Sequence, residues 1–161
     1  MRLLVLSDSH GSVDRMSLAA RRSKPDAILH LGDHIGDARK LYVQFPDVAF
    51  YMVKGNCDAN AAGETEQLFT LDGVRIFMTH GHKYNIKNGL AAFVNRAQAT
   101  DARIALYGHT HIARILQTED VWLMNPGQMV RHDSKHHASY GIITLVKGRL
   151  DMEIVYLSLK Q

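Results

Sequence analysis

The sequence predicts an α/β protein in which two β-sheets pack together and helices lie outside them. In the first half of the chain, apolar runs of strand length alternate with segments of helical periodicity. The last third contains strand-like runs that only short turns separate. A length of 161 residues and a hydrophobic fraction of 46% fit a single domain over residues 1–161 with a substantial core.

Each element of the first half has its own signal. The apolar run at 3–7 predicts a buried strand, and Ser12 is the expected N-cap of a helix over 13–23 that Pro25 ends. The turn Asp72-Gly73 between two apolar runs predicts a hairpin. We therefore expect, in order, a strand at 27–31, a helix at 36–45, a strand at 48–54, the hairpin at 66–79 and a helix at 86–99.

The second half begins with a short strand at 104–107 and continues with four more strand-like runs. These runs are ARILQT, VWLMN, YGIITLV and RLDMEIVYL. Turns are expected at Glu119-Asp120 and at Lys147-Gly148. A strand-rich end after an alternating first half predicts two sheets rather than one.

Composition argues against several classes of protein. Nineteen basic and 16 acidic residues leave a net charge of +3, which is too weak to indicate nucleic-acid binding by itself. No apolar run approaches the roughly 20 residues of a membrane helix, and polar residues follow the first apolar run too soon for a signal peptide. The single cysteine, Cys57, cannot form an intrachain disulfide, so we expect a cytoplasmic protein without membrane contact.

Five of the predicted strands end in side chains that can bind a metal. Ligands of α/β proteins gather beyond the carboxyl ends of strands, so these segments can converge on one site. The chain has 10 histidines, and histidine is the commonest metal ligand. The five strand ends are Asp8-Ser9-His10, Gly32-Asp33-His34, Gly55-Asn56-Cys57-Asp58, His80-Gly81-His82 and Gly108-His109-Thr110-His111.

The number and type of these side chains indicate two metal ions, because the set is too large for one tetrahedral ion. Oxygen and imidazole ligands without thiolate suit manganese, iron, nickel or zinc. Two ions about 3.5–4 Å apart could activate a shared water and stabilise both oxygens of a phosphoryl displacement. Two carboxylates offset only half of the four positive charges, so the substrate is expected to be anionic, such as a phosphate ester. The candidate ligands are Asp8, His10, Asp33, Asn56, His80, His109 and His111.

This succession of motifs resembles the calcineurin-like metallophosphoesterase superfamily, with a match that runs from Asp8 to His111. The short chain and the block at 55–58 resemble its small bacterial and archaeal phosphodiesterase branch. The resemblance implies a four-layer α-β-β-α sandwich of two mixed β-sheets flanked by helices. It also implies a phosphoesterase, and more specifically a phosphodiesterase, in which a hydroxide that bridges two divalent ions attacks phosphorus. Manganese is the expected ion, with nickel, iron or zinc as alternatives.

The resemblance also assigns roles to individual residues. Asp33 would bridge the two ions. One ion would be held by Asp8, His10, Asp33 and His111, and the other by Asp33, Asn56, His80 and His109. The expected catalytic residues are Asp33, Asn56, His82 and Cys57.

The sequence departs from the wider superfamily in one respect. A histidine that helps to protonate the leaving group often follows the asparagine of the third block, whereas this chain has Cys57 there. A thiol is a weaker hydrogen-bonding group than imidazolium, so the identity of the leaving-group acid stays open. His82 is a candidate replacement, and its alternative role is to contact a ligand side chain.

Several other polar residues have structural explanations as well. His30 lies inside a predicted strand and is expected to be a core histidine. His34 and Asp37 are candidates for contacts to ligand side chains, and Asp37 could equally cap a helix. The polar stretch at 131–137 is expected to be a solvated loop, with a lip facing the substrate as the alternative. Asn125-Pro126-Gly127 predicts a turn, and it also resembles a loop of the superfamily near the site.

Two other functions compete with a phosphoesterase of small substrates. The same fold also occurs as a non-catalytic protein-interaction module, but all seven ligand positions of this chain hold metal-competent residues. A nuclease would need a basic groove with interleaved aromatic residues. The grouped Arg21, Arg22 and Lys24 fit the solvated face of a helix instead, so nucleic acid is not the expected partner. Homo-oligomerisation stays open.

Overall fold

A computed structural model describes residues 1–118, 120–130 and 137–157 of the chain. Within these residues it has ten β-strands and three α-helices, together with short 3₁₀ turns at Asn56–Asp58 and His82–Tyr84. In chain order the elements are β1 Arg2–Leu6, α1 Val13–Ser23, β2 Ala27–His30, α2 Ile35–Gln44, β3 Ala49–Met52, β4 Glu66–Leu71, β5 Val74–Thr79, α3 Ala91–Ala99, β6 Ile104–Leu106, β7 Arg114–Gln117, β8 Trp122–Asn125, β9 Ser139–Val146 and β10 Arg149–Tyr156.

The strands form two mixed sheets of five strands each. The first sheet has the order β10-β9-β1-β2-β3, and the second has the order β4-β5-β6-β8-β7. In the first sheet β1 is parallel to β2, and β2 is parallel to β3. In the second sheet β5, β6 and β8 are parallel neighbours. The five strands whose ends hold the candidate ligands are therefore neighbours within parallel sets.

Three apolar clusters hold the layers together. One lies between the sheets and includes Leu3, Leu29, Met78 and Leu106. A second joins the first sheet to α1 and α2, and a third joins the second sheet to α3. The layers thus run helix, sheet, sheet, helix, which confirms the predicted four-layer α/β sandwich. Among the described residues, none of the helices combines the length and the apolar character that crossing a bilayer requires.

Most predicted elements lie where the patterns place them, but the predicted start of α3 is wrong. The expected helix over 86–99 begins only at Ala91. Gly89 has a φ of 149°, which a right-handed helix does not contain, and the chain turns before it enters α3. The expected side-chain cap of Ser12 is also absent from α1, where the Ser12 amide instead donates to the carbonyl of Ser9 at 2.9 Å. Glu119 of the expected 119–120 turn lies outside the described residues.

Candidate metal centre

Five loops meet at one edge of the two sheets, and each follows the carboxyl end of a parallel strand. The loops after β1, β2 and β3 come from the first sheet, and those after β5 and β6 come from the second. Their side chains form two groups whose potential ligand atoms lie within 4.8 Å of one another. The groups are Asp8, His10 and His111, and Asp8, Asp33 and His80.

The two remaining candidate ligands flank His80. The amide oxygen of Asn56 lies 3.1 Å from Nε2 of His80. The ring of His109 lies 5.1 Å from the His80 ring, centroid to centroid. The structure therefore brings all seven predicted ligands into one cluster, although Asn56 is exposed and the His109 ring lies outside the tighter groups.

A backbone carbonyl determines which nitrogen of His80 faces the cluster. Nδ1 of His80 lies 2.9 Å from the carbonyl oxygen of Leu31, and because a carbonyl only accepts, Nδ1 is the donor. Nε2 of a neutral His80 ring then presents a lone pair to the carboxylate of Asp33 at 3.4 Å and to that of Asp8 at 4.0 Å. Hydrogen bonds of this kind commonly orient metal-binding histidines.

Asp8 is fully buried, and its two oxygens have different surroundings. Oδ2 accepts hydrogen bonds from the Ser7 hydroxyl at 2.6 Å and from the His109 amide at 3.1 Å. Oδ1 accepts no well-formed hydrogen bond from the described residues and faces Nε2 of His111 at 3.1 Å. Burial opposes ionisation of Asp8, but nearby His111 and His80 outweigh it, and the pKa of Asp8 lies below its usual value.

Asp33 links the two halves of the cluster. Its Oδ1 accepts a hydrogen bond from the Cys57 amide at 2.9 Å, and its Oδ2 lies 3.8 Å from Nε2 of His10. Burial raises the pKa of Asp33, but the hydrogen bond and positive charge of a protonated His80 outweigh this effect. The pKa of Asp33 therefore lies below its usual value, and the carboxylate is ionised at neutral pH. The same contacts with Asp33 and Asp8 raise the pKa of His80 against the opposite effect of burial.

More hydrogen-bond acceptor atoms than donor atoms meet at this site. Nε2 of His80, Oδ1 of Asp8 and the oxygens of Asp33 and Asn56 need either an added proton or a cation between them. Nε2 of His10 is also buried without a hydrogen-bond partner among the described residues. The residues present therefore fit divalent metal ions with oxygen and nitrogen ligands.

The backbone of these loops is strained at the candidate ligands. Left-handed φ angles of non-glycine residues are uncommon, and they persist where surrounding contacts impose them. Here they occur at Asp8 (52°), His10 (40°), Asp33 (56°), His109 (65°) and His111 (62°). These five candidate ligands therefore stand at sharp turns of the backbone, which lets loops from different strands direct side chains toward a common centre.

Two glycines allow the loops to approach each other closely. A Cβ on Gly55 would overlap the Asp33 side chain and backbone. A Cβ on Gly108 would overlap the Ser7 hydroxyl and lie 2.9 Å from Oδ2 of Asp8. Glycine is therefore required at both positions for the carboxylates to sit between the loops.

A family model for the calcineurin-like phosphoesterase superfamily domain matches residues 1–148. The chain belongs to this superfamily. A probable metallophosphoesterase of Bacillus subtilis, YsnB, is 34% identical over 146 residues, which cover 90% of this chain and 85% of that protein. The phosphodiesterase YfcE of Escherichia coli K12 is 26% identical, with 89% of this chain and 87% of YfcE covered.

Solved structures agree with this assignment. A conserved predicted phosphoesterase from Streptococcus pneumoniae TIGR4 superposes with a TM-score of 0.80 at 25% identity, covering 96% of this chain and 88% of that one. Vacuolar protein sorting 29 of Cryptosporidium parvum has a TM-score of 0.73 at 17% identity, covering 98% and 97%. At that identity the second likeness concerns the fold alone. The predicted resemblance to the small bacterial members of the superfamily is thus confirmed.

Residues behind the superfamily motifs support the ligand loops. The carboxylate of Asp37 accepts hydrogen bonds from the Ser9 hydroxyl at 2.9 Å and from the Gly11 amide at 2.7 Å. It therefore fastens the loop that holds His10 and does not cap a helix. The His34 ring packs against the His10 ring with 4.7 Å between centroids.

The 125–127 turn supports the last motif in the same way. Nδ2 of Asn125 donates to the Gly108 carbonyl and to the Thr110 hydroxyl, each at 2.9 Å. Its Oδ1 accepts a hydrogen bond from the Gly127 amide, which forms the predicted turn. Ser7 was not singled out in the sequence, because a serine that ends an apolar run has no distinguishing pattern.

The two candidate acids differ in their surroundings. Cys57 is exposed, and partial desolvation together with a hydrogen bond to Asp33 raises the pKa of its thiol to about 11. The thiol is therefore protonated at neutral pH, which disfavours a nucleophilic role. His82 lies 5.5 Å from the His80 ring and 6.2 Å from the His109 ring, centroid to centroid. Burial and the charge of His80 lower the pKa of His82.

The other residues considered in the sequence do not belong to the two groups of potential ligand atoms. His30 is fully buried in β2, and burial lowers its pKa to about 4. Arg21 and Arg22 are exposed in the last turn of α1. Residues 131–136 of the predicted polar loop lie outside the described residues.

Proposed function

We propose that this protein hydrolyses phosphate esters, and phosphodiesters in particular, with two divalent metal ions at the centre described above. One observation supports the proposal most directly. Oδ1 of Asp8 is buried without a well-formed hydrogen bond and faces the imidazole nitrogens of His80 and His111. A carboxylate in this position is costly unless a cation accompanies it.

Asp8, His10, Asp33 and His111 would hold one ion, and Asp33, Asn56, His80 and His109 would hold the other. Asp33 has an oxygen on each side of the cluster, near His80 and near His10, which suits a bridging ligand. Asp8 also belongs to both groups of potential ligand atoms, so both carboxylates are candidates for a shared position. We retain Asp33 as the proposed bridge.

When bound, the ions would supply a hydroxide nucleophile from water and positive charge that stabilises the attacked phosphoryl group. The chain's own residues would orient these components. The Leu31 carbonyl holds His80, the Cys57 amide holds Asp33 and the His109 amide holds Asp8. Asn56 reaches the same centre from an exposed position, where substrate can contact it.

Charge favours a monoanionic diester over a dianionic monoester. Two carboxylates and a hydroxide leave a centre of two divalent ions with a net charge near +1. Lys54 and Lys83 directly adjoin two of the motifs. The Lys54 ammonium donates to the Ala61 carbonyl at 2.8 Å, and the Lys83 ammonium donates to the Thr65 hydroxyl at 3.2 Å. We find no arginine pair among the described ligand loops that would clamp a monoester phosphate.

A hydrolysis panel tests the proposed function. Protein stripped by chelation is reconstituted with manganese, nickel, iron or zinc and assayed on bis(p-nitrophenyl) phosphate, p-nitrophenyl phosphate and cyclic nucleotides. We expect activity to return with metal, most with manganese, and kcat/KM to be higher for the diester than for the monoester. Inactivity with every metal and ester would overturn the function, and a preference for the monoester would overturn the diester assignment.

The alternative functions have less support. A non-catalytic interaction module has no need for seven metal-competent residues in one cluster, yet all seven are present here. The exposed arginines of α1 belong to a helix face and form no groove with aromatic residues in the structure as described. Small phosphate esters are therefore the proposed substrates.

A further inference from the structure

A groove lies beside the candidate metal centre, with a cavity volume of about 670 Å³. This volume is in the usual range for sites that bind small organic molecules. One wall is the segment 86–90 that precedes α3. The other wall is formed by Tyr107, Thr110, Ile112, Arg114 and Leu116.

The groove adjoins the loop after β6, which carries two of the candidate ligands. Thr110 lines the groove and stands between the two candidate ligands His109 and His111 in the chain. Lys87 lines the opposite wall, in the segment that precedes α3. A phosphate ester at the metal centre would therefore have an organic group within reach of the groove.

The chemistry of the lining combines apolar surface with positive charge. Ile112 is 52% exposed, which is high for an isoleucine, and its side chain borders the groove. Lys87 and Arg114 are exposed cations from opposite walls, and no acidic residue lines the groove. Such a lining is complementary to an apolar, planar group that carries a negative charge.

The wall next to the metal centre is rigidly held. The Thr110 hydroxyl accepts hydrogen bonds from Asn125 at 2.9 Å and from the Ile112 amide at 3.3 Å. Asn125 is fully buried, so the position of this wall relative to the ligands is determined by the core. A fixed distance between a reaction centre and a binding groove is what selects one substrate shape over others.

We propose that this groove binds one organic arm of a phosphodiester substrate, and that this arm is an aromatic group carrying an anionic substituent. This inference rests on the proposed function, because it places the phosphorus at the metal centre. In the reaction, water adds to phosphorus, one phosphorus–oxygen bond breaks, and the departing oxygen receives a proton. Lys87 and Arg114 select the arm, whereas the ligands of the centre act on phosphorus.

Three diesters that share a p-nitrophenyl arm test the proposal. Their second arms are methyl, phenyl and 4-carboxyphenyl. Both released alcohols or phenols are quantified, so the result does not depend on which arm departs. We expect kcat/KM of the wild type to rise from methyl to phenyl to 4-carboxyphenyl.

Variants of the groove separate the two features of the arm. Lys87→Ala/Arg114→Ala should lower the preference for carboxyphenyl over phenyl by about tenfold, since hydrogen bonds to charged groups are the stronger ones. Ile112→Ser should lower the preference for phenyl over methyl. Each preference is a ratio of kcat/KM values measured in one variant, so it does not depend on the overall activity of that variant. Lys147→Ala, an exposed lysine at the turn before β10, is the matched control.

A binding measurement without turnover distinguishes the two proposals. The fluorescent aromatic anion 1-anilinonaphthalene-8-sulfonate is titrated into wild type, the double variant and the control. We expect the double variant to bind it about tenfold more weakly than the other two.

Unchanged ester preferences in an active double variant would overturn the groove assignment and leave the proposed phosphoesterase function intact. No hydrolysis together with binding that depends on Lys87 and Arg114 would overturn the phosphoesterase and keep the groove as an aromatic-anion site. Neither activity nor variant-sensitive binding would overturn both.

Discussion

Asp8 and Asp33 are both buried carboxylates, yet their hydrogen bonds prepare them for different roles. Oδ2 of Asp8 is occupied by the Ser7 hydroxyl and the His109 amide, so only Oδ1 is available to a cation. The carboxylate of Asp33 accepts a hydrogen bond from the Cys57 amide, and its two oxygens face His80 and His10 respectively. Asp33 therefore has one oxygen toward each half of the cluster, which suits the bridging role proposed for it.

Asp33→Asn is expected to lose most of its metal binding and its activity. An amide has half the acceptor oxygens of a carboxylate and no charge, so it serves poorly as a ligand shared by two cations. Reconstituted wild type should contain close to two manganese ions per chain by elemental analysis, and the variant should contain one or fewer. Asp8→Asn is the matched comparison. A variant that keeps two ions and full turnover would contradict the bridging role of Asp33.

Cys57→Ala is expected to cost little activity on aryl esters. Nitrophenolate leaves without a proton, whereas an alkoxide needs general acid help that is typically worth about 10²–10⁴-fold. Cys57→His, if the imidazole fits without displacing Asn56, should therefore speed alkyl esters more than aryl esters. The measurement is the ratio of alkyl to aryl rates in each variant.

His82→Ala is the control for this series, and it should slow alkyl esters selectively only if His82 supplies the proton. Its lowered pKa, caused mainly by burial, makes it a weaker reservoir of protons at neutral pH. A hundredfold fall of the alkyl-to-aryl ratio in Cys57→Ala would show that the cysteine is itself the proton donor. That result would contradict the view that this chain lacks a dedicated acid.

At the scale of elements, hydrophobic periodicity predicted the strands and helices well where each pattern has a clear end. The turn Asp72-Gly73 separates β4 from β5 at the predicted positions, and α1 spans the predicted 13–23. The predicted start of α3 was wrong because residues 86–90 contain apolar side chains at helical spacing. Two of them, Ile86 and Leu90, instead pack in the cluster under α3 from a non-helical turn.

The candidate ligands could be predicted because they follow strands, whose carboxyl ends meet by the rules of parallel sheets. The groove could not. Lys87 precedes α3 and Arg114 begins β7, and no local pattern relates positions that far apart in the chain. Only the packing of the second sheet brings them to opposite walls.

Gly108→Ala is expected to destabilise the protein by roughly 1–3 kcal/mol and to weaken metal binding, because overpacking displaces neighbouring atoms. The added methyl would overlap the Ser7 hydroxyl and push the loop after β6 away from the end of β1. Gly36→Ala is the matched control, since its Cβ would meet no atom within 4 Å in α2. That substitution should leave stability equal or raise it by about 0.5 kcal/mol. Urea unfolding of the metal-free variants measures both, and equal stabilities would contradict the close approach of the two loops.

At the scale of the whole molecule, the same edge that gathers the ligands also concentrates buried ionisable groups. His30 belongs to this set, although it is not a member of either group of potential ligand atoms. Its ring is fully buried, and Nδ1 accepts a hydrogen bond from the Gly32 amide at 3.3 Å. Burial keeps it neutral and lowers its pKa to about 4, against the opposing charges of Asp8, Asp58 and Asp37.

His30 is expected to make the folded state less stable in acid. The unfolded chain binds a proton at His30 below a pKa of about 6.5, whereas the folded chain does so only near 4. Between these values the unfolded state binds more protons, so stability falls as pH is lowered through this window. From pH 7 to pH 5 the contribution of His30 amounts to about 2 kcal/mol.

The measurement compares the free energy of unfolding of metal-free wild type and His30→Asn at pH 7 and pH 5. Asparagine keeps an acceptor for the Gly32 amide but does not titrate. The variant starts less stable, because it leaves part of a buried site unfilled, and it should lose about 2 kcal/mol less than the wild type on acidification. Parallel losses in the two proteins would show that His30 is protonated in the folded state at pH 5, and that other histidines determine the acid sensitivity.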